Sequence, residues 1–140
     1  MKIMFPFQNC VFIEKYVNRD LKEYETSSIL TRFIKQYVDE EKFKKYCLLW
    51  NSLNQNVIVK CLSVDKIKNL PFSSDKSVLF FDERQKMLYR TTIKDIIDFV
   101  QSLEPWDEVD ACIFDKSMEW GVAITHEDAI LYWGNIKFQN

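Results

Sequence analysis

The chain has 140 residues, 19 basic and 21 acidic side chains, and a formal net charge of −2. That length suits a single domain with an ample hydrophobic core. A content of 47% hydrophobic and 15% aromatic residues excludes disorder for most of it. Only two glycines, Gly121 and Gly134, and one histidine, His126, are present, which excludes glycine-rich phosphate loops and multi-histidine metal sites.

No apolar run approaches the ~20 residues needed to span a bilayer. The opening Met1-Lys2-Ile3-Met4-Phe5-Pro6-Phe7 is too short and proline-broken for a signal peptide. A cytoplasmic protein with no membrane partner is therefore expected. Cys10, Cys47, Cys61 and Cys112 are widely spaced with no CxxC, and they read as reduced, mostly buried thiols, with disulfide pairing the alternative that an even count leaves open.

In chain order, Ile13, Tyr16, Val17, Leu21 and Tyr24 fit a helical stripe over residues 9–24, although 10–13 could instead be a strand. Residues 27–53 carry two stripes. Ile29, Leu30, Phe33, Ile34, Tyr37 and Val38 form the first, and Phe43, Tyr46, Cys47, Trp50 and Leu53 the second. The phase jumps at Asp39, a plausible N-cap followed by Glu40 and Glu41, so two helices meeting there are predicted. The β-branched run 57–62 suggests a strand, 65–70 one or two helical turns, and Pro71 with Ser73-Ser74-Asp75 a loop. Residues 78–81 and 87–90 flank a polar turn and read as a hairpin. Thr92 and Asp95 mark the start of a helix with Ile93, Ile96, Ile97, Val100 and Leu103 on one face, ended by Pro105.

Three strands at 109–114, 118–125 and 129–133 follow, joined by short connections as an antiparallel meander. Val109, Ala111 and Ile113 alternate with Asp110, Cys112 and Phe114. Met118, Trp120, Val122 and Ile124 alternate with Glu119, Gly121, Ala123 and Thr125, and the small Gly121 and Ala123 would let a helix approach closely. The predicted class is α+β: a helical N-terminal half packed on a C-terminal, mainly antiparallel β-sheet, in one domain over 1–140.

Charge is distributed unevenly. Residues 1–76 hold 13 basic and 9 acidic residues, a net of +4, whereas residues 77–140 hold 6 and 12, a net of −6. Between Glu104 and Asp128 eight acids face one base, Lys116, a net of −7. In a meander alternate connections fall at opposite ends of the sheet. The loop 104–108 and the turn 126–128 should therefore share one end, with Asp115 and Glu119 at the other. That end would gather Glu104, Asp107, Glu108, Asp110, Glu127 and Asp128 around Trp106, with no Lys or Arg from either loop. Crowded carboxylates repel one another. A basic partner is what such a rim would suit, with the charges steering the encounter and the aromatic ring anchoring it. The plain alternative is a solvated acidic loop with Trp106 at the edge of the core.

Other chemistry is thinly represented. Thr125-His126-Glu127-Asp128 admits an enzyme reading, with His126 as general base beside Glu127 or Asp128. No Gly-x-Ser-x-Gly motif accompanies it, and Cys112, mid-strand, reads as an inert core thiol. Asp107, Asp110 and Asp128 lack EF-hand spacing, so no metal or other cofactor is expected. Lys42, Lys44 and Lys45 interleave with acids as a solvated helix face, and direct nucleic-acid binding is not expected. A third reading is a module that assembles with itself or another protein through apolar surface.

The residues Pro105-Trp106-Asp107-Glu108-Val109-Asp110, then Ile113-Phe114-Asp115, Trp120 and Thr125-His126-Glu127-Asp128, resemble a pattern found in small bacterial immunity proteins. These accompany polymorphic toxins, including those of contact-dependent growth inhibition. The resemblance covers about the last third of the chain. It implies a non-enzymatic cytoplasmic protein that binds one cognate toxin tightly, commonly a nuclease, and blocks its active site or substrate entry. A nuclease carries a basic groove for its phosphate-rich substrate, and an acidic sheet end could occupy that groove as a phosphate mimic.

Overall fold

The computed structural model describes residues 23–46, 48–85 and 87–138. The helix expected over 9–24 lies outside these residues except at its last two positions, and Cys10 and Cys47 also lie outside them.

Helix α1 (Glu23–Tyr37) buries Ile29, Phe33 and Tyr37, each four residues from the last. That spacing puts them on one face, which is why this segment is a helix held by packing rather than by propensity. Asn54 N–H donates to the Tyr37 carbonyl at 2.8 Å and so satisfies an end the helix leaves open. Asp39 then starts α2 (Glu40–Tyr46), accepting from the N–H groups of Glu41 and Lys42 at 2.9 and 3.3 Å. The two-helix expectation holds, with one correction: the second helix stops at Tyr46. Trp50 lies instead in a 3-10 turn (Leu49–Asn51), and Leu53 forms an isolated bridge with Val38. Side-chain acceptance by the distant Glu83 fixes that turn, and helical periodicity carries no trace of it.

Among the described residues the sheet has six strands: β1 (Lys60–Ser63), β2 (Ser77–Asp82), β3 (Met87–Thr92), β4 (Ala111–Phe114), β5 (Trp120–Ile124) and β6 (Ala129–Gly134). Their spatial order is β1-β6-β5-β4-β2-β3, and every neighbouring pair is antiparallel. The strand expected over 57–62 begins later, at Lys60, where pairing with Tyr132 of β6 starts, and Ile58 and Val59 stand exposed ahead of it. A 3-10 segment, Val64–Asn69, replaces the helical turns expected at 65–70. Thr92 caps α3 (Ile93–Gln101), its hydroxyl accepting from Asp95 N–H at 3.2 Å.

Helices cover both faces of the sheet. On one face α3 and Ile67 pack over Phe80, Tyr89, Ala111, Ile113, Trp120, Val122 and Ile124. On the other α1 packs over Leu79, Phe81, Cys112, Phe114, Ala123 and Trp133. The alternation read from 109–114 is therefore correct. Met118 is the exception in the next strand: it sits in a turn at φ 58° and joins the α1 side, away from Trp120. Ala123 does face the α1 core, but Gly121 accommodates a ring instead of a helix. A Cβ there would lie 2.3 to 2.7 Å from three indole atoms of Trp133, its cross-strand partner. Cys112 is buried as expected, while Cys61 is exposed. Among the described residues no helix is long and apolar enough to cross a membrane.

Candidate binding site at one end of the sheet

Asp110 stands one residue before β4, on the same alternation as Cys112 and Phe114, and is 1% exposed. Its carboxylate is the centre of a polar network. It accepts from Arg84 Nε at 2.7 Å, from Trp50 Nε1 at 3.0 Å and from His126 N–H at 3.1 Å. His126 Nδ1 lies 2.9 and 3.1 Å from its two oxygens. Such saturation is what makes a buried charge tolerable. Arg84 also reaches Glu108, Nη2 to Oε2 at 3.2 Å.

The β2–β3 hairpin supplies the cation because it is tied to the same place. Glu83 N–H donates to the Asp110 carbonyl at 2.9 Å. The Glu83 carboxylate, 1% exposed, accepts from the N–H groups of Leu49 and Trp50 at 2.5 and 3.4 Å. This holds the 3-10 turn against the sheet and delivers the Trp50 indole to Asp110. Cys112 Sγ sits 3.7 Å from Glu83, and burial, with that carboxylate beside it, pushes the thiol well up. Asp82 caps the hairpin turn, accepting from Arg84 N–H and Gln85 N–H at 3.1 and 3.3 Å. Burial, with a smaller contribution from the Asp110 charge, pushes its carboxyl up to about 6 against those hydrogen bonds and Arg84.

Beside this network lies a cleft of about 200 Å³. Val64, Val100, Leu103, Pro105, Val109 and Ile124 are its apolar lining, and Val100, Val109 and Ile124 are buried. Glu104 and Asp107 line it from the loop after α3, and His126 and Asp128 from the β5–β6 turn. Both loops are locally built. Asp107 accepts from Glu104 N–H at 2.9 Å, and Asp107 N–H returns a bond to the Glu104 carbonyl at 2.9 Å. Thr125 and Ala129 close the turn at 3.0 Å, with Asp128 in the left-handed region at φ 58°.

The structure thus brings Glu104, Asp107 and Asp128 together at one end. Glu127 is exposed in the same turn, and Trp106 is 72% exposed in the facing loop. It does not place Asp110 on the surface, and it pairs Glu108 with a cation. The rim is smaller than the sequence implies, because Arg84 arrives from a different hairpin and neutralises part of it. The carboxylate beside His126 is likewise Asp110, sixteen residues away, and not the adjacent Glu127 or Asp128. Arg84, Glu83 and Trp50 carried no usable signal in the sequence. Asp82-Glu83-Arg84 reads as an ordinary polar turn, and only its contacts make it a support.

Chemically, the arrangement holds one imidazole by Nδ1 and presents a shallow, acid-walled cleft. Among the described residues no group of three or more His, Cys, Asp or Glu is arranged to hold a metal ion.

Residues 11–140 match DUF6756, described as a family of unknown function. A stretch of 117 residues is 26% identical to the vacuolar fusion protein CCZ1 of Candida glabrata, covering 81% of this chain and 17% of that protein. The chain therefore spans less than a fifth of that relative's length.

Proposed function

This chain belongs to the family of unknown function DUF6756, and we propose that it is a non-enzymatic binding protein of the immunity type, which neutralises a basic toxin domain through the acidic end of its sheet. The observation that carries this reading is the cleft itself. Glu104, Asp107 and Asp128 line it, no Lys or Arg among the described residues does, and Trp106 stands exposed in the same loop as Glu104. Carboxylates held this way speed encounter with a cationic surface, and a solvent-exposed indole supplies apolar area for an anchor. Asp110, Arg84 and Glu83 are supports: Asp110 holds His126, Arg84 holds Glu108, and Glu83 holds the 3-10 turn.

The test is a binding titration, over a range of ionic strength, against the toxin domain encoded directly upstream. Affinity is expected to fall as salt rises. Reversing Glu104, Glu127 and Asp128 together to Lys should weaken it by about a hundredfold or more and flatten the salt dependence. These side chains are exposed, and a melting temperature measured alongside accounts for the left-handed backbone at Asp128. An unchanged affinity and salt slope would refute the acidic-end mechanism.

A second reading, hydrolysis with His126 as general base, is favoured by the 2.9 Å contact between Nδ1 and Asp110 beside the cleft. It differs in one outcome. His126→Gln would abolish an activity yet leave toxin affinity intact, whereas the binding reading expects no turnover from either form.

A further inference from the structure

The acid-walled cleft has a floor of the opposite character. Val100 in the last turn of α3, Val109 just ahead of β4 and Ile124 at the end of β5 are buried along it. Val64 closes one side, because its N–H donates to the Asp128 carbonyl at 3.0 Å and ties the 3-10 segment to the β5–β6 turn. Trp106 is not part of the lining, so this apolar surface is separate from the exposed indole.

The three carboxylates above that floor have no cation among the described residues. The side chains of Glu104 and Asp128 have no hydrogen-bond or ion-pair partner there, and Asp107 accepts only from the Glu104 N–H. A purely polar cation would leave the apolar floor against water. A purely apolar guest would strip water from unpaired carboxylates. At about 200 Å³ the cleft is below the range of small-molecule sites, about 300 to 1,000 Å³, and suits one side chain.

We propose that the cleft takes one aliphatic side chain of a protein partner, of leucine size, presented by an extended basic segment whose cations meet Glu104 and Asp107 on one wall and Asp128 on the other. In an extended segment residues two apart point to the same face. Cations two positions before and after the aliphatic residue therefore reach both walls. The inference rests on the toxin-binding reading for its partner and adds a contact that charge alone does not supply.

The experiment is an NMR titration of the full chain with the blocked peptide Lys-Lys-Leu-Lys-Lys, with its serine form Lys-Lys-Ser-Lys-Lys and with Glu-Glu-Leu-Glu-Glu. Saturable binding of the first is expected, with shifts centred on residues 100–109 and 124–128. The serine form should bind about tenfold more weakly, the lower end of what burying a leucine contributes. The acidic peptide should not bind. Val64→Phe, which fills the cleft from a partly buried position, should remove the leucine advantage and leave the serine form unchanged. Glu104→Gln should weaken both basic peptides by the same factor of about two to five, the order of an exposed ion pair. Glu40→Gln, on the exposed side of α2, should change neither. Equal binding of the leucine and serine forms by the native chain, or a leucine advantage that maps to other residues, overturns the proposal. Either result leaves the acidic-end reading to its own salt titration, whereas a toxin affinity indifferent to charge reversal removes that reading without altering the peptide result.

Discussion

Replacing Asp82 with Asn should make the protein more stable at neutral pH, and only there. In the folded chain Asp82 is 4% exposed and its carboxyl is pushed by burial from the ordinary 3.8 up to about 6. A carboxyl raised in the folded state binds its proton more tightly folded than unfolded. Its contribution to stability is therefore complete below 3.8 and is lost as pH rises through about 6. At about 1.4 kcal/mol per pH unit, that window corresponds to about 3 kcal/mol. Asn stays neutral throughout and keeps an oxygen for the N–H groups of Arg84 and Gln85. The gain of the variant over the native chain should rise from near zero at pH 4 to about 3 kcal/mol at pH 7. About 1 kcal/mol of this is forfeited if the new amide N–H finds no acceptor. Urea denaturation of both proteins at intervals from pH 4 to pH 8 measures the difference directly, and subtraction cancels every other titrating group. A difference that does not change with pH would refute the reasoning, because it would mean that folding leaves the proton affinity of the Asp82 carboxyl unchanged.

Asp110→Ala leaves Arg84 Nε and the Trp50 and His126 N–H donors without their shared acceptor. Losing one partner of a buried pair costs about 3 to 5 kcal/mol, measurable by the same denaturation at pH 7, and a cost below 1 kcal/mol would contradict the network. Gly121→Ala drives a methyl group into the Trp133 indole and should destabilise by about 1 to 3 kcal/mol, with a change in tryptophan fluorescence. Asp128→Gly relieves a left-handed residue at φ 58°. It should raise stability by up to about 1 kcal/mol while lowering affinity for a basic partner, so the melting temperature and the binding constant move in opposite senses.

The elements legible from the sequence were those whose cause is local. Ile29, Phe33 and Tyr37 announce α1 by spacing, Asp39 announces the next helix by its side-chain oxygen, and Thr92 with Asp95 announces α3. The alternation through Val109 to Phe114 assigned both faces of β4 correctly, and the meander rule placed the loop 104–108 and the turn 126–128 at one end. Element ends were less legible. The spacing carries the second helix on to Leu53, because Trp50 and Leu53 continue its stripe. Their positions are set instead by Glu83 and Val38, which meet them only in the folded chain.

Composition and pattern by themselves determined an α+β chain with an acidic C-terminal stretch, since periodicity and net charge are properties of neighbours along the sequence. The fate of each charge was a tertiary matter. Asp110 looked like one more member of the rim, yet its carboxylate is buried against Arg84, 26 residues away, Trp50, 60 away, and His126, 16 away. A charge in water and a charge beneath a hairpin have the same letter in the sequence. What separates them is the desolvation that only packing imposes and the partners that only the fold brings within reach.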